Sequence, residues 1–233
     1  MRYISIDIET TGLDRELCQV LSIGAIIEDT ENPLPYNEIP KFHGAIKRQT
    51  IYGELYAINL NRDLIKSIVD FQTAKTQEEK NDIVILKKTQ FYEESEIVEA
   101  LFQFCWDNGI VDRPDTSDWS HAQIANYFKT VNGKQYPVLT SSLPKVHITC
   151  AGKNFATFDK IFLEKLPRWK QLFSIRQRIL DPSILFIDWK NDESLPGMST
   201  CKKRAGLNEI VTHNAVEDAW DVIELLRTSY NKK

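Results

Sequence analysis

Cysteine is scarce in this chain. The four present, Cys18, Cys105, Cys150 and Cys201, lie far apart and form no Cys-x-x-Cys pair. Dispersed buried thiols of a reducing compartment are the expectation, and no disulfide framework is supported. Long apolar runs are missing too. No stretch approaches the length needed to cross a bilayer, and the opening MRYISIDIET has no charged leader followed by an apolar block. The expectation is a protein without membrane attachment, cytoplasmic or otherwise intracellular. Internal repeats, low-complexity tracts and recognisable linkers are lacking, which points to a single domain over residues 1–233. There is no surplus of basic residues: 29 Lys and Arg against 33 Asp and Glu leave a net charge of −4. That balance argues against tight, extended binding of duplex nucleic acid, where Lys and Arg contacts carry the affinity. It does not exclude a site that meets phosphates through metals, since two divalent cations would offset the whole deficit.

What is present is ordinary soluble composition, 42% hydrophobic and 27% charged, and a clear order of elements. Residues 2–9 alternate, with Ile4, Ile6 and Ile8 on one side and Tyr3, Ser5, Asp7 and Glu9 on the other, the period of a strand. Thr10, Thr11 and Gly12 read as a turn, 19–28 as a second strand and 40–47 as a weaker third. Strand, turn, strand, strand predicts an antiparallel opening to a sheet. Residues 63–88 are charged and of mixed helical character, and 92–107 form an amphipathic helix with Ile97, Leu101, Phe102 and Cys105 on one stripe. Residues 107–145 have the polar, proline-containing composition of an insertion, with an Asn132-Gly133 hairpin signal and Pro137 pushing that hairpin to an edge. Thereafter the pattern predicts a strand at 146–150, a helix at 157–166, a strand at 178–186, a short helix near 200–205 and a last helix over 214–230.

Several carboxylates sit where structure alone does not ask for them. Asp7 and Glu9 project from one face of the first strand, about 7 Å apart along it. They repel each other and are costly to bury, so either that face is exposed or a hard cation resolves the repulsion. Asp218 lies one helical turn from both Ala215 and Val222, at the edge of the apolar stripe of the last helix, whereas Glu217 and Asp221 are expected to turn outward. A carboxylate at such an edge is either ion-paired or a metal ligand. Asp159 follows Phe158 at a helix start, where an acid can simply favour the helix dipole. His213 stands just before the last helix. It can bond a backbone group there or, if Asp218 holds a metal, take a proton from a nearby water, a task its ordinary pKa of about 6.5 suits.

Three blocks of sequence, taken in order, resemble the DnaQ-like exonucleases of the DEDDh type. Asp7-Ile8-Glu9-Thr10-Thr11-Gly12-Leu13 is similar to the family's first motif. Phe158-Asp159, followed by Ile161-Phe162-Leu163, is similar to the second. His213-Asn214-Ala215-Val216-Glu217-Asp218-Ala219 is similar to the third, with His-x-Ala-x-x-Asp spacing. The second motif departs from the family's His-Asn-Ala-x-Phe-Asp. With Ala156 aligned to the family alanine, Asn154 falls one residue early.

The resemblance implies an α/β, ribonuclease-H-like mixed sheet with antiparallel opening strands flanked by helices. It implies a 3′→5′ exonuclease that acts on single-stranded DNA or RNA ends and releases nucleoside 5′-monophosphates. Asp7, Glu9, Asp159 and Asp218 would hold two divalent cations, Mg²⁺ or Mn²⁺, with His213 as general base. Thr10, Thr11, Leu13, Phe158 and Asn154 would contact the terminal nucleotide. A ribonuclease-H-type endonuclease and a non-catalytic binding or scaffolding module share the fold and remain alternatives. The insertion at 107–145 would project a hairpin that contacts substrate beyond the terminal nucleotide or docks a partner protein, unless it is a passive elaboration. Lys202, Lys203 and Arg204 read as a solvated helix face.

Overall fold

The computed structural model describes residues 1–111, 114–131, 134–138, 145–210 and 212–230, with residues 131 and 134 described by backbone alone. Its centre is a mixed sheet. The chain opens with β1 (Arg2–Thr10), β2 (Val20–Asp29) and β3 (Lys41–Ile46), each antiparallel to the last. Three helices follow, α1 (Leu55–Leu60), α2 (Arg62–Thr73) and α3 (Gln77–Lys87). Then come β4 (Gln90–Tyr92), parallel to β3, and α4 (Ile97–Asp107). The predicted insertion contains α5 (His121–Tyr127) and an antiparallel pair, β5 (Phe128–Val131) and β6 (Lys134–Pro137). β7 (Cys150–Ala151) is parallel to β1 and completes the five-stranded order β4-β3-β2-β1-β7. The chain ends with α6 (Asp159–Leu163), α7 (Trp169–Leu172), a 3₁₀ turn at Pro182–Phe186, α8 (Met198–Ala205) and α9 (Ala215–Tyr230).

The period-2 alternation of β1 divides the molecule into layers. Ile4, Ile6 and Ile8 face a large core with Ile97, Leu101, Phe102 and Trp106 of α4 and Phe162 and Leu163 of α6. Tyr3 faces the opposite way, into a second core with Ile26 and with Val216, Ala219, Val222 and Ile223 of α9. Asp7 and Glu9 share that second face, so the last helix is laid against the strand that carries the first carboxylates. No helix among the described residues is long and apolar enough to cross a membrane.

Several expectations need correction. The strand at 178–186 is absent: Leu180 makes only an isolated bridge to Ala151, and the chain turns into the 3₁₀ segment. Asp181 accepts the Ser183 N–H (2.9 Å) as its cap and Pro182 takes the first position, a start signal that overrides the β-branched residues after it. The strand at 146–150 shrinks to Cys150–Ala151, with Val146 bridged instead to Phe173. The helix at 157–166 is confined to Asp159–Leu163. Residues 63–88 resolve into α2 and α3, the latter started by a capping box between Thr76 and Glu79. The hairpin does not project freely. Phe128 and Tyr136 pack on the large core, and Phe128 lies 6.1 Å from Trp106 of α4. Its Asn132-Gly133 turn lies outside the described residues. All four cysteines are free thiols.

Candidate active site

The site lies where the C-terminal end of β1 meets the first turn of α9. Asp7 pairs across the sheet with Gly24, and Gly24 is the reason the helix can be there. A Cβ at position 24 would lie 2.2 Å from the Ala215 carbonyl carbon and 2.4 Å from the Val216 nitrogen, so only glycine lets α9 rest on the strand. Asn214 caps the helix, accepting N–H donation from Val216 (3.1 Å) and Glu217 (3.3 Å). This start puts Asp218 on the inner face one turn later. One ligand atom each from Asp7, Glu9 and Asp218 then lies within 4.8 Å of the others.

Asp159 arrives from the opposite layer. It is 3% exposed, and its Oδ1 accepts the Ile8 N–H (3.2 Å), the amide between the two β1 carboxylates. Burial pushes all four acids up. Asp7 is raised well above the carboxylate range by desolvation, then by the charges of Asp159, Asp218 and Glu9. Glu9 is pushed to about 8 by desolvation and Asp218, with the Asn61 side chain pulling the other way. Asp159 is raised to about 7 by desolvation against its backbone hydrogen bonds. Asp218 also reaches about 7, through desolvation and the charge of Asp221. Four acids raised chiefly by burial, two of them also by one another's charges within the cluster, form a place where positive charge is wanted. The donor set fits hard divalent cations: all ligand atoms are carboxylate oxygens, and the buried Oδ1 of Asp218 has no hydrogen-bond partner among the described residues.

His213 lies beside this cluster in sequence, one residue before the Asn214 cap. Its side chain is exposed and its backbone is left-handed, with φ 51°. Among the described residues its ring has no hydrogen bond. Thr10 and Thr11 are both buried and build the turn that ends β1: Thr10 Oγ1 donates to the Gly12 carbonyl (2.8 Å), and Thr11 Oγ1 accepts the Gln19 N–H (2.8 Å). Leu13 is 74% exposed. Phe158 is half-buried against Phe162, with ring centroids 5.1 Å apart. Asn154 is exposed with φ 58°. Its N–H donates to Asp181 (3.0 Å) and its carbonyl accepts from Thr157 and Phe158, so its backbone shapes the loop before Asp159.

Sequence reasoning missed three parts of the surroundings. First, α1 has no buried residue, and it is tied directly to the turn after β1. Thr11 O accepts the Glu54 N–H (2.8 Å), the Leu13 N–H donates to Glu54 Oε1 (2.9 Å), and Asn61 Nδ2 donates to Thr10 O (3.1 Å). Leu55 (86% exposed) and Tyr56 (78% exposed) directly follow Glu54, so exposed apolar side chains stand one and two residues from the group that binds the Leu13 N–H. Second, Asp221 does not turn outward, nor is Lys202 solvated. They form a buried ion pair (2.7 Å), and Lys202 also donates to the Ile210 carbonyl (2.6 Å). Packing of α8 on α9 closes over both side chains, a tertiary event with no trace in helical periodicity. Third, Gly24 admits the helix, and a glycine inside an otherwise apolar strand is itself a signal of close approach.

The fold is that of a ribonuclease-H-like α/β domain. No protein-family model matches the chain, and no curated protein matches it by sequence. Solved structures match it by shape. Exonuclease I of E. coli in complex with a 5cy-dT13 oligonucleotide is 13% identical with a TM-score of 0.51, over 100% of this chain and 41% of that one. Exonuclease I from Methylocaldum szegediense is 15% identical with a TM-score of 0.51, over 99% of this chain and 41% of that one. Cell-death related nuclease 4 (CRN-4) is 11% identical with a TM-score of 0.52, over 99% of this chain and 64% of that one. The chain thus spans less than half the length of the exonuclease I chains it matches, and at these identities the likeness is one of fold.

Proposed function

We propose that the protein is a metal-dependent 3′→5′ exonuclease acting on single-stranded DNA or RNA. The observation that carries this reading is the convergence of Asp7, Glu9 and Asp218, with ligand atoms within 4.8 Å of one another, on a ribonuclease-H-like sheet. The resemblance of the three sequence blocks to DEDDh exonucleases and the fold shared with solved nucleases support it. Asp7, Glu9, Asp159 and Asp218 would hold two divalent cations, Mg²⁺ or Mn²⁺, which would supply positive charge at the scissile phosphate. His213, exposed beside the first turn of α9, accepts a proton from the attacking water. The water oxygen bonds to phosphorus, the 3′ oxygen leaves and is protonated, and a nucleoside 5′-monophosphate is released. Leu13, Leu55 and Tyr56 offer unpaired bases a sequence-tolerant stacking surface, which favours single strands over duplex.

The test is product analysis on matched DNA and RNA oligonucleotides, single- and double-stranded, with Mg²⁺ or Mn²⁺ and then with EDTA. Mononucleotides lost stepwise from the 3′ end, only with metal, are expected. Undiminished hydrolysis in EDTA, or cleavage of a circular single strand, overturns the assignment.

A further inference from the structure

A second surface, away from the four acids, has the opposite charge. Residues 173–180 run beside the approach to β7. Ser174 N–H donates to Val146 O (2.9 Å), Arg176 N–H to Ile148 O (3.1 Å) and Leu180 N–H to Cys150 O (2.9 Å). From the first bond to the second, both segments advance by two residues. To the third, one advances by two and the other by four, so two surplus residues are pushed out of the pairing. Arg176, Gln177 and Arg178 are exposed on that bulge. It borders an open groove of about 710 Å³ lined by His147, Thr149, Ser174, Arg176 and Arg178. A neighbouring hollow of about 180 Å³ shares His147, Thr149 and Arg176 and adds Arg2. Arg2 is aimed by its own bonds, donating to the carbonyls of Gly109 (3.1 Å) and Asn108 (2.6 Å). Among the described residues, no carboxylate lines either volume.

We propose that this groove binds the sugar–phosphate backbone of a nucleic-acid strand, a proposal that rests on the nuclease reading for the identity of its ligand. Three guanidinium groups distributed along a groove suit a chain of phosphodiesters better than one compact anion, because each planar fork can take its own phosphate. The need for such a surface follows from the active site. Without bound cations, the carboxylates of the site on a chain of net charge −4 repel a polyanion, and a groove lined by arginines elsewhere on the molecule offsets that repulsion. Arg2 begins the strand that carries Asp7, about 16 Å earlier along it. A strand that fills both places must therefore be several nucleotides long, and the groove adds affinity only to long substrates.

The test measures binding of fluorescent oligothymidylates to the full chain in EDTA, using one oligomer of roughly 20 nucleotides and one of roughly 3, over a salt series. Arg176→Ala/Arg178→Ala is expected to weaken the long oligomer on the order of tenfold, and to flatten its log–log salt slope by about 1.4. The short oligomer should bind as before. Arg176→Lys/Arg178→Lys should recover most of the slope. Unchanged affinity and slope for the long oligomer in the alanine variant overturn the proposal, as does a groove that prefers poly-glutamate to the oligonucleotide. The nuclease reading fails separately. If the wild-type protein hydrolyses nothing with Mg²⁺ or Mn²⁺ yet loses salt-dependent binding in the alanine variant, the groove stands and the catalytic assignment falls.

Discussion

Gly24 and Ala215 are in backbone contact. A methyl group on Gly24 would lie 2.3 Å from the Ala215 carbonyl oxygen, and that contact sets the height of α9 above the acids of β1. Gly24→Ala has only backbone to push against, so the helix must lift. Overpacking of this kind costs about 1–3 kcal/mol and occasionally more. Activity is expected to fall further than stability, because Asp218 leaves the cluster. Urea midpoints and hydrolysis rates on the same preparation check both; wild-type values for the two would mean the contact is not tight.

The acids make stability depend on pH in a defined direction. Their folded-state values, about 7 for Asp159 and Asp218 and about 8 for Glu9, lie above those of unfolded carboxyls. Between about pH 4 and 8 the native state therefore binds more protons than the unfolded chain, and stability falls as pH rises through that window. Metal-free protein should melt at a higher temperature at pH 5.5 than at pH 8, and Mg²⁺ or Mn²⁺ should raise the melting temperature most at pH 8. Asp7→Asn should remove most of the activity but only Asp7's own share of the pH trend, since Glu9, Asp159 and Asp218 are held up mainly by burial. A metal-free melting temperature that climbs from pH 5.5 to pH 8 would contradict this.

His213 allows two substitutions with different signatures. His213→Ala should lower turnover roughly 10²–10⁴-fold, leave oligonucleotide affinity nearly unchanged and flatten the acidic limb of the pH–rate profile. His213→Gly should lower turnover equally but raise stability by about 1 kcal/mol, since φ of 51° costs a side chain more than it costs glycine. Wild-type turnover in His213→Ala would make the histidine structural.

The pair Lys202–Asp221 is buried on both sides, with side chains 7% and 10% exposed. Removing the lysine alone strands a carboxylate next to Asp218. Lys202→Met is expected to cost about 3–5 kcal/mol, and the double variant Lys202→Met/Asp221→Leu much less. A double-mutant cycle by chemical denaturation reads the coupling directly, and strictly additive effects would show that the pair is solvated.

The parts of the site legible in the sequence were those fixed by local periodicity. Asp7 and Glu9 follow from the alternation of β1, and Asp218 from its place one turn from Ala215 and Val222. The mixed sheet with its antiparallel opening was legible for the same reason. Illegible features depend on packing between elements. Asp221 sits at an outward angle on an isolated α9 and becomes buried only when α8 brings Lys202 over it. The 3₁₀ turn at Pro182–Phe186 was hidden because Ile184, Leu185 and Phe186 look like a strand, although Asp181 and Pro182 were the better guide. Leu55 and Tyr56 carried no signal, since exposed apolar side chains acquire meaning only from what stands beside them.

The far end of α9 is held differently. Arg227 donates through Nε (3.0 Å) and Nη2 (2.7 Å) to the fully buried Glu28, which also accepts from Tyr230 (2.9 Å). Glu28 and Gly24 belong to the same strand, four residues apart. The helix is thus seated on β2 at two points, a bearing at one end and a bolt at the other, while the acids it must meet stand on β1. A beam fixed twice can neither slide nor pivot. Loosening the bolt should consequently be felt at the blade: Glu28→Gln, about 13 Å along the helix axis from Asp218, touches no ligand yet frees the beam to swing. The alignment of the acid cluster is set from a strand that contributes none of its carboxylates.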